Sequence, residues 1–193
     1  MDIKQLTDIV YEDLNPVITK VCFAAEHNIA LTLECDDWQG GADRRKFLLL
    51  CDLVRESTIT VGDAGYLDFC DDHPVLQGHK GPQGELYFSS APVFPESVFF
   101  KAHDILGKYL KDWLDPSTFL NGSPENLKKY LLSGNGLLAR GPFGPLEALA
   151  KGLSNELRLN LVPTVTLHEA WKALIIDSSW MICKTVHVQE IND

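Results

Sequence analysis

The spacing of apolar residues changes twice along this chain, and these changes constrain the fold more than any other sequence feature. From Val17 to Cys35, apolar residues recur mostly at alternate positions, with one interruption at Glu26-His27-Asn28. A period of two is typical of strands that bury one face. The segment therefore predicts a β-hairpin.

Further strand patterns follow in the first half of the chain. Residues 46–54 are largely apolar on both faces, which predicts a central strand. Gly-Asp and Gly-Pro clusters separate three shorter candidates, at residues 58–61, 66–70 and 85–89. A short amphipathic helix is predicted over residues 2–14, so residues 1–91 are expected to form this helix and a β-meander.

The pattern becomes helical after Pro92. Residues 95–114 have apolar positions at helical spacing, and the stripe expected to pack on the sheet is Phe99, Leu106, Tyr109 and Trp113. A second helix is predicted from Ser123 as N-cap to Gly134, and a third begins near Pro145. Residues 134–145 are so rich in glycine and proline that they are predicted to be irregular.

The last thirty or so residues return to a strand pattern, with segments 173–176 and 180–188 on either side of a turn. This order of elements predicts an α+β fold: a mostly antiparallel sheet, made of the N-terminal β-meander and a C-terminal hairpin, with three or four helices packed on it. A single domain is predicted for residues 1–193, composed of residues 1–91, a helical segment 92–160 and the closing hairpin 161–193.

Acidic residues are concentrated in the first half of the chain. The whole sequence has a formal net charge of −10, and residues 1–96 hold 17 acidic and 7 basic residues, whereas residues 97–193 hold 10 of each. A negative field repels phosphate backbones and anionic membrane surfaces and attracts basic proteins. Nucleic-acid and membrane partners are therefore disfavoured, and a surface kept charged for solubility is the alternative.

This charge distribution predicts a non-enzymatic domain that binds a basic protein partner, such as an immunity-like or antitoxin-like inhibitor or an adaptor. Mimicry of a nucleic-acid backbone is a variant of the same hypothesis. Trp38 is either a binding hot spot rimmed by carboxylates or a residue that caps the core. Glu34, Asp36, Asp52 and Asp68 are expected to share one sheet face. The predicted partner-binding residues are Asp36, Asp37, Trp38, Asp43, Asp63, Asp68, Asp71 and Asp72.

A small metal-assisted hydrolase is the alternative function. Its candidate ligands or acid–base groups are Asp71, Asp72, His73 and His79, which lie within nine residues of one another. The spacing matches no known ligand signature, and Asp residues and residues before proline are also common in turns. No metal is assigned in the preferred hypothesis.

Sequence motifs give no support to the common enzyme classes. The segment Gly134–Ala139 fits the dinucleotide-binding pattern G-x-G-x-x-A, but a predicted helix precedes it where a strand is required. The nucleophile elbow of hydrolases, the phosphate-binding P-loop and the zinc motif H-E-x-x-H do not occur in the sequence. We therefore predict no catalytic residue and no cofactor.

The cysteines indicate a reducing compartment. There are five of them, an odd number, and no two are spaced as C-x-x-C. A nucleophilic role for Cys51 or Cys70 is less favoured than packing as a small apolar residue. Because the sequence also has no secretory signal and no long apolar run, a cytoplasmic location is predicted, and the oligomeric state is left open. The expected free thiols are Cys22, Cys35, Cys51, Cys70 and Cys183.

Overall fold

The fold is α+β with antiparallel sheets, as predicted. The structure is a computed structural model, and it describes residues 1–24, 27–41, 43–122 and 124–191. The chain divides into two compact units. The first unit consists of residues 1–76 together with the C-terminal residues from 170 onward, and the second consists of residues 77–169. No helix in these described ranges is both long and apolar enough to span a membrane.

The described residues form four α-helices and twelve strands. The helices are α1 (Ile3–Ile9), α2 (Pro95–Leu110), α3 (Pro124–Leu132) and α4 (Phe143–Gly152). The strands are β1 (Val17–Ala24), β2 (Asn28–Cys35), β3 (Arg45–Asp52), β4 (Glu56–Ser57), β5 (Gly62–Asp63), β6 (Leu67–Cys70), β7 (Gly81–Phe88), β8 (Gly136–Pro142), β9 (Leu159–Leu167), β10 (Lys172–Ile176), β11 (Ser179–Cys183) and β12 (Thr185–Ile191). Short 3₁₀ turns lie at Glu12–Leu14, Pro74–His79 and Pro116–Thr118.

Two sheets and α1 build the first unit around one core. The five-stranded sheet has the order β12-β3-β2-β1-β5, and the four-stranded sheet has the order β4-β11-β10-β6. Their buried side chains belong to a single apolar cluster, because alternate residues of each strand point to the same side. Members of this cluster are Leu6, Leu31, Leu33, Phe47, Leu49, Leu174 and Met181.

The predicted hairpin is confirmed as β1 and β2, and the predicted central strand is confirmed as β3, which lies between β12 and β2. However, β3 buries only one face, and Leu50 on the other face is 39% exposed. The predicted N-terminal helix is too long, since α1 ends at Ile9 and Val10 is extended. No strand occupies residues 58–61, which lie between the two-residue strands β4 and β5.

The second unit packs three helices on the three-stranded sheet β8-β7-β9. Its core combines the buried face of β7 with one side of each helix, and it includes Leu86, Phe88, Val98, Leu106, Leu127, Leu131, Leu146 and Leu149. Since β7 pairs with β8 and β9, the strands of residues 1–91 do not form one meander.

The prediction that residues 134–145 are irregular is wrong, because they contain β8 and the start of α4. The glycines are needed for close packing. A side chain at Gly136 would overlap the Tyr130 ring, and one at Gly141 would lie 2.5 Å from Cδ1 of Phe119. Two aromatic rings thus cover bare backbone in this strand.

The C-terminal hairpin is confirmed as β10 and β11, but the predicted strand 180–188 is interrupted at Lys184. After this break, β12 joins the five-stranded sheet by pairing with β3. Strand β9 was not predicted, and it contains Pro163, which an edge strand tolerates because one side of its backbone has no neighbouring strand.

Helix α2 is confirmed, but it is shorter than predicted and its buried side differs in part. The helix ends at Leu110, because Lys111 has a left-handed backbone with φ of 48°. Leu106 is buried as expected, whereas Tyr109 is 39% exposed and Trp113 lies beyond the helix. The side chains that α2 buries are Val98, Ala102, Leu106 and Leu110. For α3, the predicted N-cap Ser123 falls outside the described residues.

Candidate functional site

The eight predicted partner-binding residues all belong to the first unit, but they occupy several places. Four follow β2 before β3 begins, Asp63 is in β5, Asp68 is in β6, and the last two follow β6 directly. The expectation of one shared acidic sheet face is wrong. Glu34 and Asp52 lie on the outer face of the five-stranded sheet. Asp36 lies after the end of β2, and Asp68 belongs to the four-stranded sheet. Strands that are close in sequence are divided between two sheets here.

Two clefts in the first unit contain most of the charged groups of interest. The arginine cleft has a volume of about 780 Å³ and is lined by Glu34, Asp37, Gln39, Gly41, Asp43, Arg44, Arg45, Lys46, Glu190 and Ile191. The tyrosine cleft has a volume of about 510 Å³ and is lined by Glu12, Asn15, Pro16, Val17, Arg44, Asp63, Gly65, Tyr66 and Asp177. Arg44 lines both of them.

Arg45 organises the arginine cleft. Its guanidinium carbon lies 3.7 Å from the centre of the Trp38 ring, a cation–π contact. Its Nε and Nη2 atoms donate to Oε1 of Glu190 at 2.7 and 2.5 Å. Trp38 in turn stacks on the buried Phe47, with ring centres 6.2 Å apart. This geometry supports the alternative in which Trp38 caps the core.

The carboxylates of Asp36 and Asp37 form their hydrogen bonds with other groups of the protein. Asp37 accepts hydrogen bonds from the backbone N–H groups of Gln39 and Gly41, at 3.2 and 3.0 Å. Asp36 accepts a hydrogen bond from Asn15 at 2.7 Å and lies 3.5 Å from a guanidinium nitrogen of Arg44. These two acids therefore stabilise the connection between β2 and β3.

The tyrosine cleft is built around Asp177, which lies in the turn between β10 and β11. Its two carboxylate oxygens accept hydrogen bonds from the backbone N–H groups of Gly65 and Tyr66, at 3.0 and 2.9 Å. The backbone of Tyr66 also forms an antiparallel bridge with Tyr11. Both tyrosine side chains are more than half exposed. Of the two, Tyr66 lines the cleft, and Tyr11 is the residue paired with it through the backbone.

The tyrosine cleft is negatively charged. It has three carboxylates, from Glu12, Asp63 and Asp177, and the single guanidinium of Arg44. Arg44 donates to two backbone carbonyl oxygens, those of Asn15 at 2.6 Å and of Glu34 at 3.1 Å. Within the described ranges, Glu12 and Asp63 have no ion-pair partner. The arginine cleft differs, because its four carboxylates face three cationic side chains.

Asp68, another of the predicted residues, acts on two titratable neighbours. Partial burial, and then the Asp68 carboxylate, raise the pKa of the Tyr66 hydroxyl above 10.0. Burial, and then Asp68, raise the pKa of Cys70 to about 11. Only a thiolate is nucleophilic, so a raised pKa lowers the reactivity of Cys70 at neutral pH. For Cys51, a hydrogen bond to Cys183 and burial raise the pKa in the same direction.

The alternative metal site gains no geometric support. In the part of the chain that the structure describes, no group of three or more His, Cys, Asp or Glu side chains is placed to hold a metal ion. Nδ1 of His73 accepts a hydrogen bond of 3.5 Å from the backbone N–H of Val75, at the start of a 3₁₀ turn. That contact agrees with the interpretation of this segment as a turn.

Most residues of the tyrosine cleft lie outside the binding residues predicted from the sequence. Tyr11 and Glu12 lie in the segment assigned to the N-terminal helix, and Tyr66 was assigned to a strand without a role. Asp177 lies in the turn predicted between segments 173–176 and 180–188. An aspartate at the start of a two-residue turn is a signal for backbone hydrogen bonding. No local pattern, however, indicates that this turn contacts Gly65 and Tyr66, which lie more than 100 residues away.

Comparison with known proteins gave no match to a protein family, to a curated protein or to a solved structure.

Proposed function

We propose that this chain is a non-enzymatic binding protein whose tyrosine cleft binds a basic segment of a protein partner. The observation that supports this most directly is the combination of the exposed Tyr66 with the unpaired carboxylates of Glu12 and Asp63. An arginine side chain has the matching chemistry, because its guanidinium binds carboxylates through paired hydrogen bonds and stacks on aromatic rings. Tyrosine is also among the residues enriched in binding hot spots.

The size of the cleft suits this ligand. The cleft volume of about 510 Å³ lies within the range of pockets that enclose a small ligand. Such a ligand is about as large as one or two large side chains. Because four of the lining residues are charged, we expect a contact that depends on encounter rate and salt. Inhibition of a basic protein and adaptor function are both compatible with this chemistry.

Asp36, Asp37 and Trp38 have a supporting role in this proposal. Asp36 holds Arg44 from one side, and Arg44 lines the tyrosine cleft. Asp37 and Trp38 position Arg45 at the other cleft. The five cysteines are unpaired, which is compatible with the cytoplasmic location that we propose.

Fluorescence anisotropy with a labelled peptide of alternating arginine and glycine tests the proposal. The variant is Glu12→Gln combined with Asp63→Asn, which removes two charges and keeps both side-chain shapes. Partly exposed ion pairs are worth about 0.2–1 kcal/mol each, so the dissociation constant should rise about twofold to thirtyfold. The matched control is Glu147→Gln, another exposed acid without an ion-pair partner in the described residues, located on α4.

The two variants separate the proposal from the solubility alternative. The loss of peptide-binding free energy is compared per carboxylate removed. If this loss is the same for Glu147→Gln as for the double variant, the peptide is attracted by the net charge of the protein, and the tyrosine cleft is not the site. Unchanged affinity in the double variant would also overturn the proposal. Circular dichroism spectra that match the wild type establish that both variants are folded.

A further inference from the structure

The outer face of the five-stranded sheet has an apolar centre. Because Leu31, Leu49 and the other alternate residues of β2 and β3 are buried in the core, the residues between them point outward. Leu48 and Leu50 occupy the middle of this outer face on β3, and Leu50 is 39% exposed. Thr32 and Ala30 are their neighbours on β2 in the antiparallel register.

Polar groups surround this centre. At one end, Glu34 is the register partner of Lys46, and at the other end β2 begins with Asn28 and β3 ends with Asp52. A solvated face of an antiparallel sheet is normally polar along its length. An apolar centre with a polar rim is instead the arrangement found in protein interfaces.

We infer that this outer face packs against the same face of a second copy of the chain, with a two-fold axis parallel to the strands between β2 and β3. This operation places β2 of one copy over β3 of the other. Each Leu50 then covers an Ala30, and each Leu48 covers a Thr32, so large side chains meet small ones. Each Glu34 meets a Lys46 of opposite charge. The face is thus complementary to itself in size and in charge.

The area of the face indicates a weak dimer. Four strands about 4.8 Å apart and eight residues of about 3.3 Å give a footprint of about 500 Å² per copy. The total of about 1,000 Å² is at the low end of specific interfaces. We therefore expect a reversible, transient association rather than a permanent dimer.

The response to salt distinguishes this dimer from the proposed binding of a basic peptide. Each copy has a formal net charge of −10, so two copies repel each other at long range. Salt screens this repulsion and should strengthen the dimer. Binding of a basic peptide in the tyrosine cleft should instead weaken with salt, because opposite charges attract there.

Sedimentation equilibrium over a range of protein concentrations tests the dimer. The wild type should pass from monomer to dimer, and Leu50→Lys should remain monomeric because it buries a charge in the centre of the interface. Leu132→Lys on α3 is the matched control, since Leu132 is 56% exposed, and it should associate like the wild type. A wild-type protein that stays monomeric up to about 1 mM would overturn the inference.

A charge exchange gives a second test that does not depend on a buried lysine. Glu34→Lys should weaken association several-fold, since it places two lysines opposite each other, and the addition of Lys46→Glu should restore it. Association that is unaffected by Glu34→Lys would show that the copies meet through another surface. Failure of the peptide to bind the tyrosine cleft would leave both of these results unchanged.

Discussion

At the residue scale, Asp177 determines the shape of the tyrosine cleft. It has a left-handed backbone with φ of 51°, which aspartate tolerates better than most residues. Its carboxylate holds the backbone of Gly65 and Tyr66 in place. The cleft therefore depends on one side chain from a turn that is distant in sequence.

We expect Asp177→Ala to lower the free energy of unfolding by about 2 kcal/mol. The variant loses two hydrogen bonds to a charged acceptor and places alanine in an unfavourable left-handed conformation. Asp177→Asn should lose about half as much, because asparagine keeps one acceptor oxygen and accepts this backbone. Urea denaturation measures both variants, and a loss below about 0.5 kcal/mol in both would show that the hydrogen bonds contribute little.

A second residue-scale prediction concerns Cys70. Because its pKa is raised to about 11, the thiolate should be rare at neutral pH and should increase as the pH rises toward that value. Alkylation by iodoacetamide in the native protein should then accelerate by about tenfold per pH unit between about pH 7 and 10. Mass spectrometry of the labelled peptide measures the rate. If the rate stops rising at the same pH in the native protein as in the urea-unfolded protein, the pKa of Cys70 is not raised by the fold.

At the element scale, the sequence predicts those elements whose pattern is local. The β1–β2 hairpin and α2 follow from apolar spacing and from the residues at their ends. Strand β8 does not follow from the local pattern, because glycines usually indicate a loop. Here Gly136 and Gly141 leave space for the rings of Tyr130 and Phe119, and the sequence around them does not show these contacts.

Pairing between distant segments is also invisible to local patterns. Strand β12 pairs with β3, although the paired residues Thr185 and Asp52 are 133 positions apart. For the same reason, the acidic loop after β2 is evident from the sequence, whereas the contact of the Asp177 turn with Gly65 and Tyr66 is not. When a site combines segments that are distant in sequence, the sequence pattern predicts the separate segments but not the contacts between them.

The packing of α2 gives the element-scale prediction. Leu106 is fully buried in the core of the second unit, so Leu106→Ala should cost about 2–5 kcal/mol of stability through the cavity that it leaves. Phe100→Ala on the same helix is the control, because Phe100 is 70% exposed and should lose less than about 1 kcal/mol. Similar losses for the two variants in chemical denaturation would mean that the buried side of α2 is assigned incorrectly.

At the scale of the whole molecule, the acid excess of residues 1–96 acts on both proposed surfaces with opposite sign. Added sodium chloride should lower the affinity for the arginine–glycine peptide and raise the fraction of dimer, since it screens attraction in one case and repulsion in the other. Anisotropy and sedimentation in the same salt series measure the two effects. Salt responses of the same sign would contradict this electrostatic account.

Nuclear magnetic resonance locates the binding of a basic ligand to the tyrosine cleft most directly. Unlabelled arginine–glycine peptide is titrated into uniformly ¹⁵N-labelled protein, and the amide signals are followed. The largest shifts should belong to Glu12, Asp63, Gly65, Tyr66 and Asp177, the residues that line the cleft. Shifts centred on Asp71 and Asp72, or spread evenly over all exposed acids, would contradict the claim.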